Sequence, residues 1–186
     1  MTKSGKSVWC AIGLLCSSLA LGHTSNHTPV TPGSEWSESE SKPKSENGLS
    51  AILLLSDNPD DVIRSWTTPS ARVPLRTTDT IPRGAPIVAF VFFTGCRPDK
   101  EGLCNASADF TILRPDGGVY DRFADRDLWK RKPAPPDGML RLSAEYVGAI
   151  IEPGDPLGRY EVHVSVHDLN AGTTLELKQA FTAIAK

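Results

Sequence analysis

The cysteines and histidines are the residues of this chain best suited to chemistry. Cys96 and Cys104 are close in sequence. In an exported chain, two such cysteines read as a disulfide pair. Closing a loop this short stabilises a fold by roughly 2–3 kcal/mol in the chain-entropy model. A redox pair would sit two residues apart near a helix start, and this one does not. His163 and His167 fall on one face of a single alternating segment. Four strand steps separate them by about 13 Å, while a metal–nitrogen bond is about 2 Å. They therefore read as two solvent-face side chains.

His23 and His27 carry the sharper metal reading. Cleavage after Gly22 would make His23 the amino terminus, whose amine and ring together bind copper. Cleavage after Ala20 would make it the third residue, another copper arrangement. The plainer reading is a solvated tail. Asp99, Glu101, Asn105 and Asp109 surround the cysteine pair with oxygen ligands, but no Asp-x-Asp-x-Asp-Gly calcium loop is present. Cys96-Arg97-Pro98-Asp99-Lys100 comes near the sulfatase Cys-x-Pro-x-Arg pattern but ends in lysine. Gly-x-Ser-x-Gly, His-Glu-x-x-His and Gly-rich phosphate loops are missing. The sequence thus points to no cofactor and to no enzyme.

The elements that position these residues begin after an export signal. Lys3 and Lys6 precede an apolar run, Val8 to Leu21, and small residues follow at Ser18, Ala20 and Gly22. That order predicts a signal peptide over residues 1–22. The run is shorter than the roughly 20 residues of a spanning helix, so no permanent membrane span is expected. The protein is placed in the periplasm or outside the cell. Leu15 before Cys16 is too large for a lipoprotein signal.

Residues 23–48 are polar and low in complexity and read as a disordered linker. Trp36 stands alone there among acids, either incidental or a short anchor for a partner. The net charge of -2 argues against nucleic acid, whose binders carry excess Lys and Arg.

The domain is read as residues 49–186. Ala51–Leu55 predicts a strand, and Asp57-Asn58-Pro59 a helix start running to Trp66. Ile87–Phe93 is apolar on both faces, as in a central strand. Two β runs around Asp116-Gly117-Gly118 predict a hairpin. Met139–Leu142 and Tyr146–Ile151 are further strands. Tyr160, Val162, Val164 and Val166 alternate with Glu161, His163, Ser165 and His167, which marks a half-buried strand. Thr173–Ala183 returns from it as a second hairpin. Seven or eight strands with little helix predict an all-β sandwich.

Asp155-Pro-Leu-Gly158-Arg-Tyr160-x-Val162-x-Val164 resembles the Gly-x-Tyr-x-Val segment that opens a late strand in many immunoglobulin-like modules. The resemblance implies an immunoglobulin-like sandwich in which the Tyr160 hydroxyl ties to nearby backbone. The stretch from Gly84 to Phe181 also resembles small exported bacterial proteins with no assigned activity, so it implies no functional residues. The cysteine pair that crosses immunoglobulin sheets is absent, because Cys96 and Cys104 share one loop.

A non-catalytic binding or accessory module of the cell envelope fits these features best, with a protein as partner. Its alternative is a periplasmic copper-binding protein using His23. Two charged segments with few core residues read as interaction loops. The first, 97–103, offers Arg97, Asp99, Lys100 and Glu101. The second, 121–136, offers Arg122, Arg126, Trp129, Lys130 and Arg131.

Overall fold

A computed structural model describes residues 42–67 and 77–186. The segment read as a signal peptide, Trp36, His23 and His27 lie outside the described residues. The chain forms β1 (Lys44–Glu46), β2 (Leu49–Ser56), α1 (Pro59–Thr67), β3 (Thr80–Pro82), β4 (Pro86–Thr94) and β5 (Leu103–Leu113). It continues as β6 (Val119–Pro133), β7 (Arg141–Leu142), β8 (Val147–Ile150), β9 (Gly158–Asp168) and β10 (Thr173–Ile184). One sheet has the order β1-β2-β4, with β7 and β8 both pairing the far side of β4; the other is β3-β10-β9-β5-β6. The fold is an all-β, immunoglobulin-like sandwich with one short helix.

Why β4 is apolar on both faces is now clear. Ile87, Ala89, Val91 and Phe93 face the main core between the sheets. Val88, Phe90 and Phe92 face outward, where α1 covers them with Val62, Ile63 and Trp66. The helix forms where Asn58 caps it: the Asn58 Oδ1 accepts from the Asp61 amide, and its Nδ2 donates to Asp61 Oδ2. Each fully buried Phe or Leu contributes about 1.5–3 kcal/mol. The Cys96–Cys104 disulfide is thus worth about one such side chain. The core holds the fold, and the bridge trims one loop.

The carboxy-terminal rhythm forms β9 and β10, paired from Gly158 to Asp168. Tyr160 is fully buried. Its hydroxyl donates to the Pro156 carbonyl at 2.8 Å, as the immunoglobulin resemblance implies, and its ring stacks on Phe181.

Two expectations need correction. Lys44–Glu46 lies in the segment read as linker, yet it pairs with Leu49–Ala51. Asn47 and Gly48 join these strands with φ of 50° and 88°, the two left-handed positions of a type I′ turn. The second correction concerns 121–136, read as a charged loop. Most of it is β6, the longest strand, paired with β5 over its whole length. Four register shifts interrupt that pairing, and Asp125 and Arg131 take left-handed φ beside two of them. Extra residues are thereby inserted. The residues opposite the inward-facing Phe110, Ala108, Ala106 and Cys104 are Phe123, Arg126, Trp129 and Lys132. Leu128, inserted at the Ala106/Ser107 shift, is fully buried in the main core, so buried positions on β6 come at uneven intervals and the two-residue alternation that marks a strand is absent.

Between β7 and β8 the chain changes partners. The Ser143 amide donates to Val91 on β4, but those of Ala144 and Glu145 donate to Leu128 and Asp127 on β6. The Glu145 Oε2 accepts from the Asp127 amide at 2.8 Å. One side of the sandwich is therefore a seam, joining the edge strands of the two sheets.

Candidate functional site

The loop between the cysteines is held from below. The buried Asp168 accepts the Arg97 amide at 2.6 Å and, through its other oxygen, the amides of Asn170 and Ala171. The Asn170 Nδ2 donates to the Arg97 and Leu103 carbonyls. Asp99 accepts the Glu101 and Leu103 amides. Asp99 therefore closes its own turn, while Asp109 accepts the Asp125 amide farther along β5. The four candidate calcium ligands do not converge, and no group of three metal-ligating side chains occurs among the described residues.

The Ala134 amide donates to the Gly102 carbonyl at 3.0 Å. This brings Trp129, Lys130 and Arg131 to the same end of the sandwich as Arg97, Asp99, Lys100 and Glu101. Arg122 is not brought there. It pairs with Thr111, seven strand steps from Cys104, or about 23 Å away.

His163 and His167 lie on the outer face of the second sheet, each beside an acid. His163 Nε2 is 2.9 Å from Glu161, and His167 Nε2 is 3.3 Å from Asp109. Hydrogen bonds from His163 and Lys178 hold the Glu161 carboxyl below its usual range. The Asp125 amide, with His167 beside it, does the same for Asp109 against the opposing effect of burial. His163–Glu161 runs along β9, whereas His167–Asp109 and Lys178–Glu161 are cross-strand surface pairs.

The seam is built differently. Arg126 lies over the Phe123 ring, 5.8 Å from its centroid. Trp129 packs on Phe93 of β4 and donates from Nε1 to the Pro133 carbonyl. Lys132 and Arg141 both lie over the Trp129 ring, at 5.4 and 5.8 Å. Lys132 is paired with Asp127 at 2.7 Å. Burial works against the ionised Asp127, but Lys132 and the Lys130 amide prevail and hold its carboxyl low. Arg126 and Arg141 have no acid partner among the described residues. The Nε of each is buried without a hydrogen bond, as is the Ser143 Oγ.

Beside Arg126 an open groove of about 390 Å³ runs between β6 and the 144–148 segment. Phe123, Arg126, Glu145, Tyr146 and Val147 line it, with Ala144 and Gly148. Tyr146 packs its ring on Phe90 and stays 45% exposed.

Sequence reading found Arg126 and Trp129 but not Arg141, Ser143 or Tyr146 as site residues. β7 and β8 have two and four residues, too short for a periodic signal.

No protein-family model and no curated protein sequence matches the chain. Solved structures are similar to it at low sequence identity. A family 123 glycoside hydrolase from Clostridium perfringens has 9% identity and a TM-score of 0.41; the match covers 75% of this chain and 28% of that one. A Niemann-Pick type C2 protein from the Japanese carpenter ant has 14% identity and a TM-score of 0.39, covering 80% and 95%. A CARDB domain from Pyrococcus furiosus, solved with di-metal ions, has 9% identity and a TM-score of 0.36, covering 77% and 100%. This chain thus spans under a third of the glycoside hydrolase, and likeness at this level assigns no activity or ligand.

Proposed function

We propose that the chain is a non-catalytic binding or accessory module of the cell envelope, exported to the periplasm or beyond, which holds a protein partner on the β6/β7–β8 seam. The observation that carries this reading is the open groove where Phe123, Arg126 and Tyr146 meet. Aromatic and arginine side chains dominate the energetics of protein contacts. The export signal and the Cys96–Cys104 disulfide support the location. No helix among the described residues is long and apolar enough to cross a membrane.

Contact through side chains fits better than addition of a strand to β6. Bulges and inward-pointing charges such as Arg126 and Lys132 are devices that block edge pairing.

Affinity capture from envelope extract tests the proposal. Tyr146→Ala and Arg126→Glu should lose a protein that wild type and Lys178→Ala retain. Lys178 lies on the far face, so it controls for general charge. Identical recovery by all four proteins would contradict the proposal. Point variants are needed because residues 119–133 are a paired strand and cannot be exchanged for a linker.

A further inference from the structure

Two arginines at the seam lie over aromatic rings, lack an acid partner among the described residues and keep a buried Nε without a hydrogen bond. The two lysines of β6 are matched: Lys130 with Asp125 and Lys132 with Asp127, both at 2.7 Å. Arg126 on β6 and Arg141 on β7 are not. Stacking on a ring holds a guanidinium in place while leaving its other N–H groups to form a planar fork. That fork matches a carboxylate. Ser143 adds a hydroxyl that is 5% exposed and unpartnered. Its amide pairs with Val91, so it belongs to the inward-facing set of Arg141.

Spacing narrows the ligand further. Arg126 reaches Phe123 and Arg141 reaches Trp129. The β5 residues opposite those two aromatics, Phe110 and Ala106, stand four strand steps apart along the backbone, about 13 Å. The Arg126 backbone stands opposite Ala108, midway between them. Carboxylates two to four residues apart on one face of an extended peptide are about 7–13 Å apart. The one acid among the groove's lining residues, Glu145, turns one carboxylate oxygen to the Asp127 amide. Phe123, Tyr146 and Val147 offer the apolar wall beside the cations.

Resting on the reading of the seam as the contact surface, we propose that it recognises an acidic, extended segment of the partner protein. Alternate glutamates or aspartates meet Arg126 and Arg141, and an apolar side chain lies in the groove. An extended peptide suits the site because the two guanidinium groups lie over rings of different β6 residues, Phe123 and Trp129, and a segment can present carboxylates in series to both.

Fluorescence anisotropy with the full-length exported protein tests this. The probe is a capped, end-labelled peptide with glutamate at three alternate positions and valine beside them. Its controls are the same peptide with glutamine and inorganic phosphate as competitor. The expected result is saturable binding, weakened at least tenfold by the glutamine exchange and by Arg126→Ala or Arg141→Ala. Arg126→Lys should recover part of it, because charge remains and the fork is lost. Unchanged melting temperatures show that the variants fold. Equal binding of the glutamine peptide, or full binding by both alanine variants, would overturn the proposal. So would displacement by phosphate equimolar with the peptide, which would mark a general anion site. If Tyr146→Ala abolishes envelope capture but no glutamate peptide binds, the acidic-segment inference fails and the binding-module reading stands. If neither occurs, both fail.

Discussion

Arg141 of β7 lies over the ring of Trp129 on β6, 5.8 Å from its centroid, and so links the edge strands of the two sheets. Trp129 also touches Phe93 and Lys132. Removing it opens the seam on three sides. Trp129→Ala should lower stability by about 2–3 kcal/mol, less than a fully buried tryptophan because the ring is only partly buried. Urea denaturation measures this, and Trp129→Phe should recover more than half of the loss.

Gly95 follows β4 with φ of 78°, and a Cβ there would stand 2.0 Å from the Gly48 carbonyl oxygen. The neighbour is backbone in a tight turn and cannot swing aside. Gly95→Ala should therefore cost roughly 2–4 kcal/mol from strain and displacement together. Gly84→Ala is the control, since it shares a positive φ but has open space around it. Thermal melts should show the larger loss at Gly95.

The disulfide closes a short loop that hydrogen bonds from Asp168, Asn170 and Asp99 already hold. The double variant Cys96→Ala with Cys104→Ala should lose roughly 2–3 kcal/mol and still fold. Loss of all cooperative unfolding would show that the core is weaker than its buried phenylalanines imply.

Acid and alkali should act through different residues. Asp109, Asp127 and Glu161 have carboxyl pKa values held below their ordinary ones in the folded chain. A depressed folded value gives stability that is present above the unfolded value and lost as pH falls through the folded one. Acid destabilisation should thus begin near pH 4.5 and deepen below it. Burial, with Asp155 at 2.9 Å from its hydroxyl, pushes the Tyr120 phenol up to about 12. A raised folded value gives stability that is complete below about 10 and lost as pH climbs through 12. Tyr120→Phe should shrink that alkaline limb, leaving the part that comes from Tyr160, whose phenol burial also pushes up. Denaturant titrations at stepped pH test both ends.

Much of the architecture was legible in the residues. Tyr160 to Val166 showed the last hairpin because one face of β9 is core and the other solvent. Ile87 to Phe93 showed a central strand because α1 buries its outer face. β6 was hidden for the opposite reason. Its bulges break the two-residue alternation and leave Leu128 as its one fully buried side chain, so the stretch read as a charged loop. Asn47-Gly48 carried a hairpin signal, but the polar residues before it drew the whole stretch into the linker. Arg126 and Trp129 could be chosen for their chemistry. Arg141 and Tyr146 could not, because their place opposite β6 comes from a change of pairing partner at Ser143.

In-place photo-crosslinking tests the central claim most directly. A photoreactive residue replaces Tyr146 in the groove, and a second version carries it at Glu176 on the outer face of the other sheet. The account predicts one discrete protein adduct from position 146 and none from 176. Equal labelling at both positions, or an adduct from 176 alone, would contradict the seam as the contact surface.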